Sequence, residues 1–270
     1  MARTGLGAAC VALLSASGAA AAKPPLPDVY LLAGQSNMSG RGALADLTEA
    51  ERTPDPGIRL YGNDGKARVA LDPLDSAEGQ IDAVSADPQA AVGPGLGFAR
   101  EIARHSRRPI VLVPCAKGGS SIARWQPGGG RDTLYGSCLA RAREAGGRVH
   151  GILWYQGESD AATLAAANAW PEAFAALIAR FRDDLGDARL PVVFVQLADP
   201  PARPDRALRY PGWRQVQAGQ GGVRMKCTAM VAAAGLPRLE DELHLTTAGQ
   251  RTLGPRLAAA MRRLQRQGCR

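Results

Sequence analysis

Val29-Tyr30-Leu31-Leu32-Ala33, followed at once by Gly34-Gln35-Ser36-Asn37-Met38, decides the architecture. Five apolar residues without a break read as a strand buried on both faces, and the glycine and small polar residues after it read as a sharp turn into a helical segment. The same figure recurs along the chain. Pro109–Val113 runs into Cys115-Ala116-Lys117-Gly118-Gly119-Ser120, and Gly151–Tyr155 runs into Gln156-Gly157-Glu158-Ser159-Asp160. Val192–Gln196 and Val223–Val231 complete five candidate strands. Between them lie amphipathic stretches near Gly97–His105, Leu139–Ala145, Ala161–Leu185, Arg206–Ala218 and Thr247–Gln265. Strands alternating with helices predict βαβ units, an α/β fold and a mostly parallel five-stranded sheet. Ligands of such sheets sit at the carboxyl ends of the strands, so the three small, polar segments are where chemistry is expected.

The rest of the chain narrows the class. Its 270 residues carry 32 Gly and 19 Pro without a period, 46% apolar and 5% aromatic residues. That excludes collagen-like and low-complexity chains and suits one well-buried domain, expected over residues 23–270. No segment reaches the roughly 18 uninterrupted apolar residues of a membrane span. Residues 1–22 read as an export signal: Arg3, the apolar Leu6–Leu14, then small residues ending at Ala20-Ala21-Ala22, which predicts a secreted or periplasmic protein. Removing them takes one positive charge, Arg3, from a net +8 and leaves +7. The excess reads as a solvated arginine-rich surface, with none of the aromatic interleaving of a nucleic-acid binder. Arg41 to Gly93, rich in Gly, Pro and Asp, is expected to be a long surface excursion near the site. Of five cysteines, Cys115, Cys138, Cys227 and Cys269 remain after cleavage; they allow two disulfides in three connectivities, and no Cys or His spacing points to a metal.

Only three histidines compete for a catalytic role. His105 sits among Arg104, Arg107 and Arg108, and His150 opens a strand beside Arg148, so both read as structural or surface residues. His244 follows Asp241 by three residues, a spacing that lets a carboxylate reach the imidazole Nδ1 and fix its tautomer. A nucleophile must stand on a sharp turn within reach of that base. Ser36 does so. Ser159 competes, because Gly157-Glu158-Ser159-Asp160-Ala161 approaches the G-x-S-x-G elbow, although Ala161 replaces the last glycine. Backbone N–H groups of Ser36 and of Gly118 or Gly119, with the side-chain amide of Gln156, are the candidate oxyanion donors. No phosphate loop or dinucleotide fingerprint occurs.

Several ordered runs together resemble the SGNH-type hydrolases of carbohydrate esterase family 6 and the sialate O-acetylesterase-like (SASA) group. They are Ala33 to Gly42, Leu112 to Ile122, Leu153 to Asp160 and Asp241 to Thr247, with lesser likeness at Gly93-Pro94-Gly95 and from Tyr135 to Ala145. The resemblance covers roughly residues 28 to 260 and implies a flavodoxin-like three-layer αβα fold. It implies Ser36 as nucleophile, His244 as general base and Asp241 as its orienting acid. Ser36, Gly118 or Gly119, and Gln156 would form the oxyanion hole, with Gln35, Asn37 and Glu158 in support. In some members a Glu of the Glu158 block has been considered as the acid. Lys117 departs from the small or apolar residue frequent there. The implied activity is removal of O-acetyl groups from a carbohydrate such as acetylxylan or a sialic acid, through an acetyl-enzyme and without metal or organic cofactor. A lipase- or thioesterase-type SGNH hydrolase and a non-catalytic carbohydrate-binding relative are the alternatives. Trp125 reads equally as a sugar-stacking or a core residue.

Overall fold

The computed structural model describes residues 1–2 and 25–269, so all but the first two residues of the expected export signal lie outside the described residues. The chain runs β1 (Asp28–Gly34), α1 (Ser36–Ser39), α2 (Glu49–Arg52), β2 (Ile58–Tyr61), β3 (Ala67–Val69), α3 (Gly95–Ala103), β4 (Ile110–Pro114), α4 (Leu134–Glu144), β5 (Arg148–Tyr155), α5 (Leu164–Asp184), β6 (Val192–Gln196), α6 (Pro204–Arg209), α7 (Trp213–Gly222), β7 (Thr228–Ala232) and α8 (Thr247–Arg266). One seven-stranded sheet has the order β3-β2-β4-β1-β5-β6-β7. Every pairing is parallel except β2 with β3.

β1 is the central strand and all seven of its residues are buried, as a continuous apolar run in a two-sided parallel sheet requires. The two faces are told apart by what covers them. Tyr30 meets Phe98 of α3 edge-on at 5.0 Å, and a Cβ on Gly151, its neighbour on β5, would strike Met261 of α8. Helices α3 and α8 therefore form one layer. On the other face Trp154 packs against Phe174 of α5, and Tyr135 of α4 against Phe181 of α5, which makes α4 and α5 the opposite layer. The αβα expectation holds.

The sheet has two more strands than the five expected. β2 and β3 lie inside the Arg41–Gly93 excursion, where they extend the β4 edge. They are four and three residues long, and each carries an arginine, Arg59 or Arg68, among short apolar residues, so neither offers enough alternation to stand out. The last strand is also shorter than Val223–Val231. It begins at Thr228, after Cys227 takes a positive φ of 55° and closes a disulfide with Cys269. The Arg206–Ala218 stretch is two helices. The break falls at Tyr210-Pro211-Gly212, because proline disfavours helical backbone at the residue before it. The second disulfide joins Cys115 to Cys138, and of the three connectivities this is the one adopted. Among the described residues no helix is long and apolar enough to cross a membrane.

Candidate active site

Three loops meet where β1, β4 and β5 end. Gly34 makes the first possible: at φ +127° it sits where a Cβ would stand 2.2 Å from the Tyr155 carbonyl oxygen. The Gln35 N–H donates to that carbonyl at 2.8 Å, and the Lys117 N–H donates to the Gly34 carbonyl at 3.1 Å. The backbone itself thus stitches the three strand ends together. Ser36, first residue of α1, faces a cleft of about 420 Å³ walled by Gly118, Gly119, Ser159, Tyr210 and His244 among others. A larger hollow of about 750 Å³ between α2, α3 and α8 contains no nucleophile and base together.

His244 and Asp241 arrive on the loop before α8. The His244 Nε2 lies 2.8 Å from Ser36 Oγ, and its Nδ1 lies 2.5 Å from Asp241 Oδ2. Asp241 does double duty. Its Oδ1 accepts the Leu243 N–H at 2.9 Å and the His244 N–H at 3.0 Å, so the carboxylate folds the turn that presents the imidazole. Glu242, between them, takes a positive φ of 59°. Partial burial alone raises the Asp241 carboxyl, but hydrogen bonds from the His244 ring and the two backbone N–H groups outweigh it and hold it well below the usual carboxylate range. Among the described residues no group of three His, Cys, Asp or Glu is placed to hold a metal ion.

Asn37 locks the two halves of this relay together. Its Oδ1 accepts the Leu245 N–H at 2.9 Å, and its Nδ2 donates to the Leu243 carbonyl at 3.0 Å and to Glu158 Oε1 at 2.7 Å. Gln250 of α8 donates to the Asn37 carbonyl at 3.0 Å. Glu158 is buried and its Oε2 has no partner among the described residues; burial pushes its carboxyl up, against the Asn37 hydrogen bond. It supports Asn37 rather than the imidazole, whose Nδ1 is taken by Asp241.

The candidate oxyanion donors differ from expectation in one respect. Gln156 is fully buried: its Nε2 donates to Asp160 and, at 3.2 Å, to the Ser120 carbonyl, while its Oε1 accepts Trp170 Nε1–H at 2.8 Å. It does not line the cleft and has no N–H left to offer there. Gly118 spends its N–H on Asp87 Oδ2 at 2.9 Å. The Ser36 and Gly119 N–H groups have no protein acceptor among the described residues, and Gly119, at φ +70°, has open space around it. Trp125 is a core residue, edge-on to Trp154 at 5.1 Å with its Nε1–H on Ser120 Oγ.

The sequence reading missed one wall of the cleft. Asp87, from the long excursion, accepts Ser39 Oγ–H at 2.8 Å and a two-pronged contact from Arg41 at 2.8 and 3.0 Å, as well as the Gly118 N–H. Burial raises its carboxyl, yet Arg41 and the other donors bring it below the ordinary value. Lys117 Nζ donates to the Ala86 carbonyl at 2.6 Å. Ser159 lines the cleft, but among the described residues no hydrogen bond joins its hydroxyl to a histidine, and His244 Nε2 faces Ser36 instead.

This arrangement has relatives. The sequence profile described as "Carbohydrate esterase, sialic acid-specific acetylesterase" (SASA) matches residues 27–263. A probable carbohydrate esterase of Arabidopsis thaliana is 32% identical over 255 residues, 87% of this chain and 91% of the plant protein. The X-ray structure of an Arabidopsis thaliana protein superposes with a TM-score of 0.76 at 31% identity, over 88% of this chain and 99% of that one. A carbohydrate acetylesterase from Xanthomonas citri gives 0.68 at 24% identity, over 89% of this chain and 56% of that one, and shares the fold. With its profile matched from before β1 into α8 and a plant relative aligned over most of both chains, the protein belongs to the SASA family of carbohydrate esterases.

Proposed function

We propose that this esterase removes O-acetyl groups from a carbohydrate by a serine mechanism. The observation that carries the reading is the unbroken relay Ser36 Oγ–His244 Nε2, His244 Nδ1–Asp241 Oδ2, at 2.8 and 2.5 Å. Ser36 Oγ attacks the acetyl carbonyl carbon, its proton passes to His244 Nε2, and the carbonyl electron pair moves onto oxygen. The Ser36 and Gly119 N–H groups stabilise that oxyanion. The intermediate collapses as the bond to the sugar oxygen breaks and His244 returns the proton to it, leaving acetyl-Ser36. Water, deprotonated by His244, repeats the attack and releases acetate. Asp241 stays ionised throughout and stabilises the imidazolium. The substrates proposed are acetylxylan, O-acetylated sialic acid or a related glycan, a class with which the Xanthomonas citri neighbour, a carbohydrate acetylesterase, agrees. We further propose export: the Arg3 to Ala22 pattern is supported by two disulfides, which persist in oxidising compartments.

The test is hydrolysis of p-nitrophenyl acetate and release of acetate from acetylxylan and O-acetylated sialic acid by the wild type, Ser36→Ala and Ser159→Ala. Loss in Ser36→Ala alone supports the reading. Loss in Ser159→Ala alone, or a folded wild type without Ser36-dependent turnover, overturns it.

A further inference from the structure

The carboxylates lining the cleft are already committed. Asp87 takes the two-pronged contact from Arg41, the Ser39 hydroxyl and the Gly118 N–H. Glu158 is turned onto Asn37. The cations are less fully matched. Lys117 is half-buried in the cleft wall, and among the described residues it forms no ion pair. Its Nζ spends one of three N–H groups on the Ala86 carbonyl at 2.6 Å, which fixes the charge in place and leaves two donors. The Lys117 backbone N–H is held by the Gly34 carbonyl, on the turn that carries Ser36.

A second group of cations stands at the rim. Tyr210 lines the cleft, and α6, just before it, has no buried residue. α6 and its N-cap carry Arg203, Arg206 and Arg209 against one acid, Asp205, which Arg203 and Arg206 share at 3.2 and 3.7 Å. Arg209 is exposed and has no carboxylate partner among the described residues; its guanidinium lies 5.8 Å from the centre of the Tyr210 ring. None of these arginines lines the cleft itself, so an occupant that meets them extends beyond the acetylated sugar. Cations without counter-ions, one inside the cleft and one at its edge, favour a ligand that brings repeated negative charge.

Resting on the proposed acetyl-ester chemistry, we propose that the substrate is an acidic polysaccharide, a chain of O-acetylated sugars that carry carboxylates. Lys117 Nζ binds the carboxylate nearest the acetyl group at Ser36, and Arg209 meets that of a flanking sugar. The excess of 33 Lys and Arg over 25 Asp and Glu acts in the same direction, drawing a polyanion to the protein at low ionic strength.

O-acetylated polygalacturonan tests this as its free acid and as its methyl ester, two forms that differ in carboxylate charge on the same chain. For the wild type at about 20 mM salt, kcat/KM on the acid is expected to exceed that on the ester about tenfold, chiefly through KM, and the gap to close by about 0.5 M. Lys117→Met keeps the aliphatic stem and is expected to bring the two forms within about threefold of each other. Arg209→Gln is expected to reduce the preference about two- to fivefold. Reading each variant as its acid-to-ester ratio cancels a general change in rate, so a disturbed Gly118-Gly119 loop does not imitate the result. Equal kcat/KM on the two forms in the wild type, or a preference that survives Lys117→Met, overturns the inference. So does a higher kcat/KM on O-acetylated sialic acid than on the acid polymer with Arg209→Gln unchanged, which would put the carboxylate on a single sugar. If Lys117→Met does not fold, Arg209→Gln decides, and an unchanged preference there overturns the inference. A wild type without Ser36-dependent hydrolysis of p-nitrophenyl acetate overturns the function reading as well, whereas a wild type active on that ester but indifferent to polymer charge overturns this inference alone.

Discussion

The Asn37 side chain accepts the N–H of Leu245, 208 residues along the chain, at 2.9 Å, and returns a hydrogen bond to the Leu243 carbonyl at 3.0 Å. The residue after Ser36 thus holds both neighbours of His244. The distance from Ser36 Oγ to His244 Nε2 is set by this amide, which is itself held by buried Glu158.

Asn37→Ala is accordingly expected to damage both catalysis and stability. Two buried backbone groups and one carboxylate lose their partner, costing about 1–3 kcal/mol for each that water does not replace. Freed from Asn37, the loop lets His244 drift, and a displacement near 1 Å costs on the order of 10²-fold in rate. Urea unfolding and steady-state kinetics on p-nitrophenyl acetate read the two effects separately. A variant with wild-type kcat would show that the Asp241 turn alone positions the base.

Asp241→Asn makes a sharper statement about the proton. An asparagine Oδ1 can still accept the Leu243 and His244 N–H groups, so the turn is expected to survive. Its NH₂ would then face His244 Nδ1 and make that nitrogen the acceptor. The ring proton moves to Nε2, which can no longer take the Ser36 proton. A loss of about 10⁴-fold in kcat is expected, as for the comparable substitution in serine proteases, with little change in melting temperature.

What the sequence made readable follows from how local each signal is. Gly34, Ser36 and β1 are contiguous, and Asp241 and His244 share one turn, so their relation needed no knowledge of the fold. Asp87 meets Arg41 and Gly118 only because the excursion folds back across 46 and 31 residues, and nothing in its neighbourhood announces that. Gln156 misled for a different reason. A polar residue at a strand end has two faces, and Trp170 and Asp160, in the following segment, turn its amide inward. β2 and β3 are edge strands whose arginines hide their apolar positions.

The two disulfides are expected to differ in what they protect. Cys115–Cys138 closes 23 residues and ties the start of the Gly118-Gly119 loop to α4, whose Arg141 also donates to the Pro114 carbonyl at 2.5 Å. Cys227–Cys269 closes 42 residues beside the carboxyl terminus. Replacing either pair by serine should cost about 3–4 kcal/mol by the loop-closure relation. The Cys227/Cys269 variant should keep the wild-type kcat at 25 °C, while the Cys115/Cys138 variant should lose rate as well, because Gly119 rides on the loop that is released. Equal kcat losses in both would dissociate the disulfide from the oxyanion loop.

Asp75 gives the clearest pH signature of stability. Complete burial raises its carboxyl to about 7, against the opposing hydrogen bond from Asn63 and the nearby charge of Arg141. Its Oδ1 accepts from Asn63 at 2.7 Å and its Oδ2 has no partner among the described residues, an environment suited to the neutral acid. The unfolded chain releases this proton near 3.8, so between roughly pH 4 and 7 the folded state binds more protons than the unfolded one. The group's contribution is therefore full below the unfolded value and is lost as pH rises through the folded one, at up to about 1.4 kcal/mol per pH unit. Asp75→Asn keeps the Asn63 contact and cannot ionise. Its stability relative to wild type should accordingly increase from pH 4 to pH 7 and level off above. Chemical denaturation of both proteins across that range measures the difference directly, and a difference that does not change with pH would mean that Asp75 is ionised in the folded protein throughout.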